Sequence, residues 1–66
     1  MAWFFTNEIN SDVFEITGED ARHISKSLRM KIGEALTLCT TDGRRHECEI
    51  TAFSTDTVTV KVLSST

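Results

Sequence analysis

Hydrophobic and polar positions change rhythm once along this chain. From residue 35 onward they alternate: segments 35–40 (ALTLCT), 45–53 (RHECEITAF) and 58–63 (VTVKVL) are rich in β-branched residues, and "TDG" and "STD" separate them. Alternation of this kind predicts half-buried strands, and short polar breaks predict antiparallel hairpins. In the last segment Val58, Val60 and Val62 share one face, while Thr59 and Lys61 take the other.

The register of the first hairpin follows from the same pattern. A two-residue Asp42-Gly43 turn sets Leu36 and Leu38 on one face with Glu47 and Glu49, which makes a poor core. A three-residue loop, Thr41-Asp42-Gly43, shifts the pairing by one and gathers Leu36, Leu38, His46, Cys48 and Ile50 on one face. A one-residue slip turns every side chain over, so burial selects the second register. Gly43 then serves as the left-handed residue of a bulged turn.

The front half reads differently. "WFF" (3–5) and "VFEI" (13–16) predict two short strands joined by "NEINSD". Thr17 with Asp20 three residues on resembles a capping box, and Glu19 and Asp20 suit a helix N-terminus. Ala21, Ile24 and Leu28 follow at helical spacing, and Gly33 can end the segment, so a single helix is predicted over 19–28. The whole is mainly β: a small antiparallel barrel or rolled sheet with one short helix. The periodic pattern stops at Leu63, so residues 1–63 form the barrel and 64–66 begin a linker.

Length narrows the functions available. Sixty-six residues make one domain, and a chain of this size buries only about 60% of its unfolded surface. That leaves little room for a cofactor fold together with a substrate pocket, and favours a binding module or one domain of a larger protein. The hydrophobic fraction of 39% and charged fraction of 26% are those of a globular domain. No apolar run approaches the ~20 residues of a membrane span, and "MAWFF" lacks the basic flank of a signal peptide. Two cysteines make no disulfide framework, so reduced thiols and a cytoplasmic setting are expected.

Charge changes the picture. The net charge is −3, yet four of the seven Lys and Arg residues (Arg22, Lys26, Arg29 and Lys31) fall within ten positions that hold no carboxylate. On a helix turning about 100° per residue, Arg22, Lys26 and Arg29 line up at i, i+4 and i+7, away from Ala21, Ile24 and Leu28. Such a stripe is often just a solvated face. Here no acid stands at i±4 to pair with it, and a cationic surface clear of carboxylates suits phosphate oxygens. His23 flanks the apolar face, where a histidine usually bonds to backbone. Cys39, His46 and Cys48 suggest a metal, but in the bulged register Cys39 points away from Cys48, and a structural zinc site needs four convergent ligands. No phosphate loop, paired catalytic acids or triad spacing is present. No catalytic, cofactor or metal residue is assigned.

Gly18-Glu19-Asp20-Ala21, His23, Leu28-Arg29-Met30, Gly33-Glu34 and Asp42-Gly43 occur in order across nearly the whole chain. This succession resembles the N-terminal domain of the 16S rRNA uridine-N3-methyltransferase (RsmE) family. The resemblance implies a PUA-like β-barrel that docks small-subunit ribosomal RNA, with Arg22, His23, Lys26, Arg29 and Lys31 as candidate RNA contacts. It also implies a separate C-terminal knotted domain that binds S-adenosylmethionine, carries the catalysis and forms a homodimer; no membrane or metal enters. Trp3 stands where many members have Arg, and Ser27 replaces an aliphatic residue. The alternative is a protein-interaction barrel that positions its parent enzyme against a ribosomal protein or second subunit. Phe53 and Leu63, expected to point away from the valine face, would form its apolar patch.

Overall fold

The computed structural model describes residues 2–7, 9 and 11–66. Five strands form one sheet: β1 (Ala2–Thr6), β2 (Val13–Thr17), β3 (Ala35–Thr40), β4 (Arg45–Phe53) and β5 (Thr57–Ser65). Their spatial order is β1-β3-β4-β5-β2. Three of the four pairings are antiparallel; β1 against β3 is parallel, because β2 and the helix intervene between them in sequence. The sheet curls into a half-barrel whose open edges are β1 and β2. Between the strands of the front half, Glu8 and Asn10 of the predicted "NEINSD" connection lie outside the described residues.

The hairpin takes the register that burial demands. Leu36 lies opposite Cys48 and Leu38 opposite His46. The Thr40 N–H donates to the Arg44 carbonyl (3.0 Å) and the Gly43 N–H donates back to the Thr40 carbonyl (3.1 Å), so Thr41, Asp42 and Gly43 form the loop. Gly43 has φ +87°, a left-handed conformation that a Cβ disfavours. The Asp42 carboxylate fastens this turn by accepting from the Thr40 hydroxyl and from the Arg44 N–H. Those hydrogen bonds, the Thr40 one foremost, hold its pKa below the usual carboxylate value.

The inner face carries the core: Phe4, Ile16, Leu36, Leu38, Cys48, Ile50, Val58 and Val60 from the sheet, with Ala21 and Ile24 from the helix. Two bulges curve the long strands. Thr51 is the extra residue of β4, between Ile50 opposite Val60 and Ala52 opposite Thr59. Leu63 is the extra residue of β5, between Cys48 opposite Val62 and Glu47 opposite Ser64. A bulge bends its strand and shifts the alternation by one. Phe53 therefore lies opposite Val58, on the valine side, rather than beside Leu63 on an outer patch. β5 also continues through Ser64 and Ser65, and Thr66 exchanges two backbone hydrogen bonds with Arg45 (2.9 and 3.0 Å), past the point where the apolar alternation stops.

The helix departs most from expectation. It is α-helical only over Gly18–Arg22 and continues as a wider π turn over His23–Ser27. Thr17 makes no side-chain capping bond. The Ser25 hydroxyl donates to the Ala21 carbonyl (3.0 Å), occupying an acceptor that a regular helix reserves for backbone. The Leu28 N–H reaches back to the His23 carbonyl (2.9 Å), five residues away, and the Met30 N–H to the Ile24 carbonyl (3.0 Å). Ile24 is fully buried, whereas Leu28, expected in the core, is 43% exposed. Arg29 turns the chain through a left-handed conformation (φ +51°), and Met30 packs on the core instead of Leu28. Gly33 (φ +94°) then serves the Lys31–Glu34 turn, not the end of the helix.

Gly43→Val is expected to destabilise the fold by about 1–2 kcal/mol in urea unfolding. Nothing lies within 4 Å of the added Cβ, so the loss is one of backbone strain alone. Unchanged stability would mean the turn can relax. Ile24→Ala is expected to cost about 2–4 kcal/mol and Leu28→Ala no more than about 0.5. The opposite ranking would mean that the helix runs regularly through Leu28.

Candidate nucleic-acid interface

Arg22, His23, Lys26, Arg29 and Lys31 are all exposed. They lie along one continuous segment that crosses an end of the half-barrel, where Ala21 and Ile24 anchor it to the core. They do not form the helical stripe that their spacing predicts. Arg22 closes the α-helical turn, where a cation suits the helix dipole. Lys26 follows in the π turn, which rotates less per residue. Arg29 stands beyond the helix and Lys31 opens the next turn. The regular helical spacing read from the sequence therefore does not extend to Arg29 and Lys31.

Among the described residues, none of these cations lies within ion-pair distance of a carboxylate; the one such pair joins Arg44 and Asp42 (4.0 Å). One carboxylate does approach the segment: Glu34 folds back so that its Oε2 accepts the Lys31 N–H (2.5 Å). Sequence spacing placed Glu34 outside the basic stretch, and the tight turn brings it in. His23 presents its ring edgewise to buried Phe4, with centroids 6.3 Å apart and an interplanar angle of 71°. The ring thus touches the core although the residue is exposed.

Cys39 and Cys48 are both free and fall on opposite faces, Cys39 opposite Arg45 and Cys48 opposite Leu36. Burial pushes the Cys48 thiol up to about 11, which makes it an unreactive part of the core. No group of three metal-binding side chains occurs among the described residues. No described helix is long and apolar enough to cross a membrane. A cleft of about 170 Å³ separates the open edges β1 and β2, and the Glu15 and Asp20 carboxylates at its lining disfavour phosphate.

His46 holds a polar relay that spacing alone did not reveal. Ser65 Oγ lies 2.7 Å from its Nδ1, and Nε2 lies 3.2 Å from Thr40 Oγ1, whose hydroxyl donates to Asp42. Because the ionised Asp42 only accepts, the Thr40 hydroxyl donates to it and in turn accepts from His46 Nε2–H. Thr40 separates the imidazole from the carboxylate, so this is not the direct His–Asp contact of a serine triad. It clamps the end of β5 to the β3–β4 turn.

Residues 16–63 match a protein family described as the RNA methyltransferase PUA domain. The chain belongs to this family. It is 38% identical over 53 residues to "Ribosomal RNA small subunit methyltransferase E" of Bacillus subtilis (strain 168), a match that takes in 80% of the chain and 21% of that protein. The PUA domain thus spans about a fifth of that relative. Among solved structures, a probable rRNA-methyltransferase from Porphyromonas gingivalis superposes with a TM-score of 0.87 at 25% identity, over 100% of this chain and 27% of that one. The ribosomal RNA small subunit methyltransferase E from Neisseria gonorrhoeae bound to S-adenosyl methionine has the same fold, with a TM-score of 0.86 at 22% identity over 100% and 28% of the two chains.

Arg29→Gly is expected to stabilise the PUA domain by about 0.5–1 kcal/mol, since relief of left-handed strain exceeds the added freedom of the unfolded chain. A urea or thermal midpoint measures it. A lower midpoint would mean that the Arg29 side chain stabilises the turn.

Proposed function

We propose that this PUA domain is the RNA-docking domain of an S-adenosylmethionine-dependent 16S rRNA (uridine-N3) methyltransferase. Arg22, His23, Lys26, Arg29 and Lys31 are its contacts to the phosphate backbone of small-subunit rRNA. The observation that carries the reading is the exposed run of four cations, none with an ion-pair partner among the described residues, in a domain of an RNA methyltransferase family. The relatives' greater length supports a further domain for the cofactor and the methyl transfer; a homodimer of the parent through that domain is part of the proposal.

The chemistry asked of this surface is modest. Each cation meets a phosphate oxygen and releases condensed counterions, which gives affinity and orientation but no base recognition. Arg can grip a phosphate through two parallel N–H donors, whereas Lys acts as a point charge. The domain's net charge of −3 opposes the approach of RNA, so binding by the isolated domain is weak and strongly salt-dependent.

Titration with a single-stranded fragment of small-subunit rRNA at several salt concentrations tests this. Three or four engaged cations give a slope of log affinity against log salt near −2 to −3, at about −0.7 per phosphate. The double variant Arg22→Glu with Lys26→Glu is expected to abolish binding and leave the circular dichroism spectrum intact, while Lys61→Ala changes little. Wild-type affinity in the double variant would make the segment an ordinary solvated surface.

A further inference from the structure

The outer face of the sheet carries a second feature at its β1 edge. Trp3 and Phe5 alternate with buried Phe4, so both rings stand on the outside of β1, 49% and 78% exposed. The ladder places Trp3 beside Thr37, Phe5 beside Cys39, and Cys39 opposite Arg45. The Arg45 guanidinium leans over the Trp3 ring, 5.3 Å from its centroid. Among the described residues Arg45 has no carboxylate within ion-pair distance, so its charge is shared only with an aromatic face.

We propose that Trp3, Phe5 and Arg45 form a base-stacking site for single-stranded RNA, separate from the basic segment; this rests on the RNA-docking reading and extends it. Residues i and i+2 of a strand lie about 6.7 Å apart, close to twice the 3.4 Å step of a nucleic-acid strand, so two unstacked bases can meet two rings without straining the sugar-phosphate chain. Stacking tolerates any sequence because every base has a π face, and a guanidinium on the ring adds a cation–π contribution. Contact with Arg45 holds the Trp3 ring in place before a base arrives, which lowers the ordering entropy of binding. Glu47 lies on the same face in the row of Trp3 itself, across Thr37, whose hydroxyl donates to it (3.1 Å), and Glu49 lies one same-face row further along. These carboxylates, and those of Glu15 and Asp20 in the cleft that Phe5 also lines, repel phosphate, so the bases meet the rings while the sugar-phosphate chain stands off the sheet on the solvent side of the Arg45 guanidinium. A protein partner would also accept exposed aromatics; the uncompensated guanidinium and the family favour RNA.

Trp3 is the single tryptophan and there is no tyrosine, so intrinsic fluorescence reports on this ring alone. The probes are a polyuridylate of about ten nucleotides, within the usual range of single-strand sites, and an abasic strand of equal length. Polyuridylate is expected to quench Trp3 and to bind more tightly than the abasic strand. Trp3→Ala and Phe5→Ala, followed by filter binding, are each expected to weaken polyuridylate about 5- to 100-fold and leave the salt slope unchanged. Phe5 is almost fully exposed, so its variant keeps the test decisive even where Trp3→Ala loosens β1. Normal salt-dependent binding, with equal affinity for the two strands and no effect of either variant, would overturn the stacking site and spare the basic segment. No binding of either strand at low salt would overturn both. Concentration-dependent self-association that Phe5→Ala removes, without quenching by RNA, would assign the face to protein contact and overturn the proposal.

Discussion

The left-handed backbone at Gly43 sets the register of β3 against β4, and the remaining packing depends on that register. With a three-residue loop, Leu36, Leu38, His46, Cys48 and Ile50 all face inward and meet Val58 and Val60 of the next strand. One residue less would bring Glu47 and Glu49 inward, and a domain of this size has no spare core to offset buried carboxylates. The turn is reinforced from inside by the relay that links Asp42 through Thr40 and His46 to Ser65. A polar chain thus adds side-chain bonds to the backbone pairing of β4 with the end of β5 and links both to the β3–β4 turn.

The second constraint is the open end of the half-barrel, which Ile24 must plug. Five α-helical residues, one π turn and a left-handed arginine carry the chain across it, and each irregularity brings an apolar side chain to where the core is open. As a result the cations of 22–31 do not share one regular helix. The left-handed backbone at Arg29 turns the chain where a regular helix would continue. The Glu34 carboxylate, drawn back onto the Lys31 N–H, limits how far the positive surface extends.

An acidic domain that meets RNA has to rely on local features, since its overall field repels the ligand. Phosphate contacts supply salt-sensitive attraction, while rings supply salt-insensitive contact with bases. In the proposed reading the two are complementary: charge would draw the strand in, and stacking would retain the bases. Trp3, which stands where many members of the family it resembles have Arg, sits in the structure under the guanidinium of Arg45, two strands away in the ladder. The positive charge near β1 is thus supplied across the sheet and not from β1 itself.

The sequence alone determined the strands, the β3–β4 register, the need for Gly43 and the concentration of cations in 22–31. All of these are local: a period of two, a turn of fixed length and a count of charges can be read without knowing what lies opposite. Tertiary structure decided the rest. Leu28 and Met30 are both apolar and near the end of the helix, and only the shape of the barrel's open end decides which one is buried. The bulges at Thr51 and Leu63 arise from the curvature that two nine-residue strands need to wrap a core, and that curvature moved Phe53 to the valine side. Arg45 meets Trp3, and His46 meets Ser65, across distances in sequence that no local period encodes. A pattern with a period of two fixes which face a side chain takes, while its partner on that face is fixed only when the sheet closes on itself.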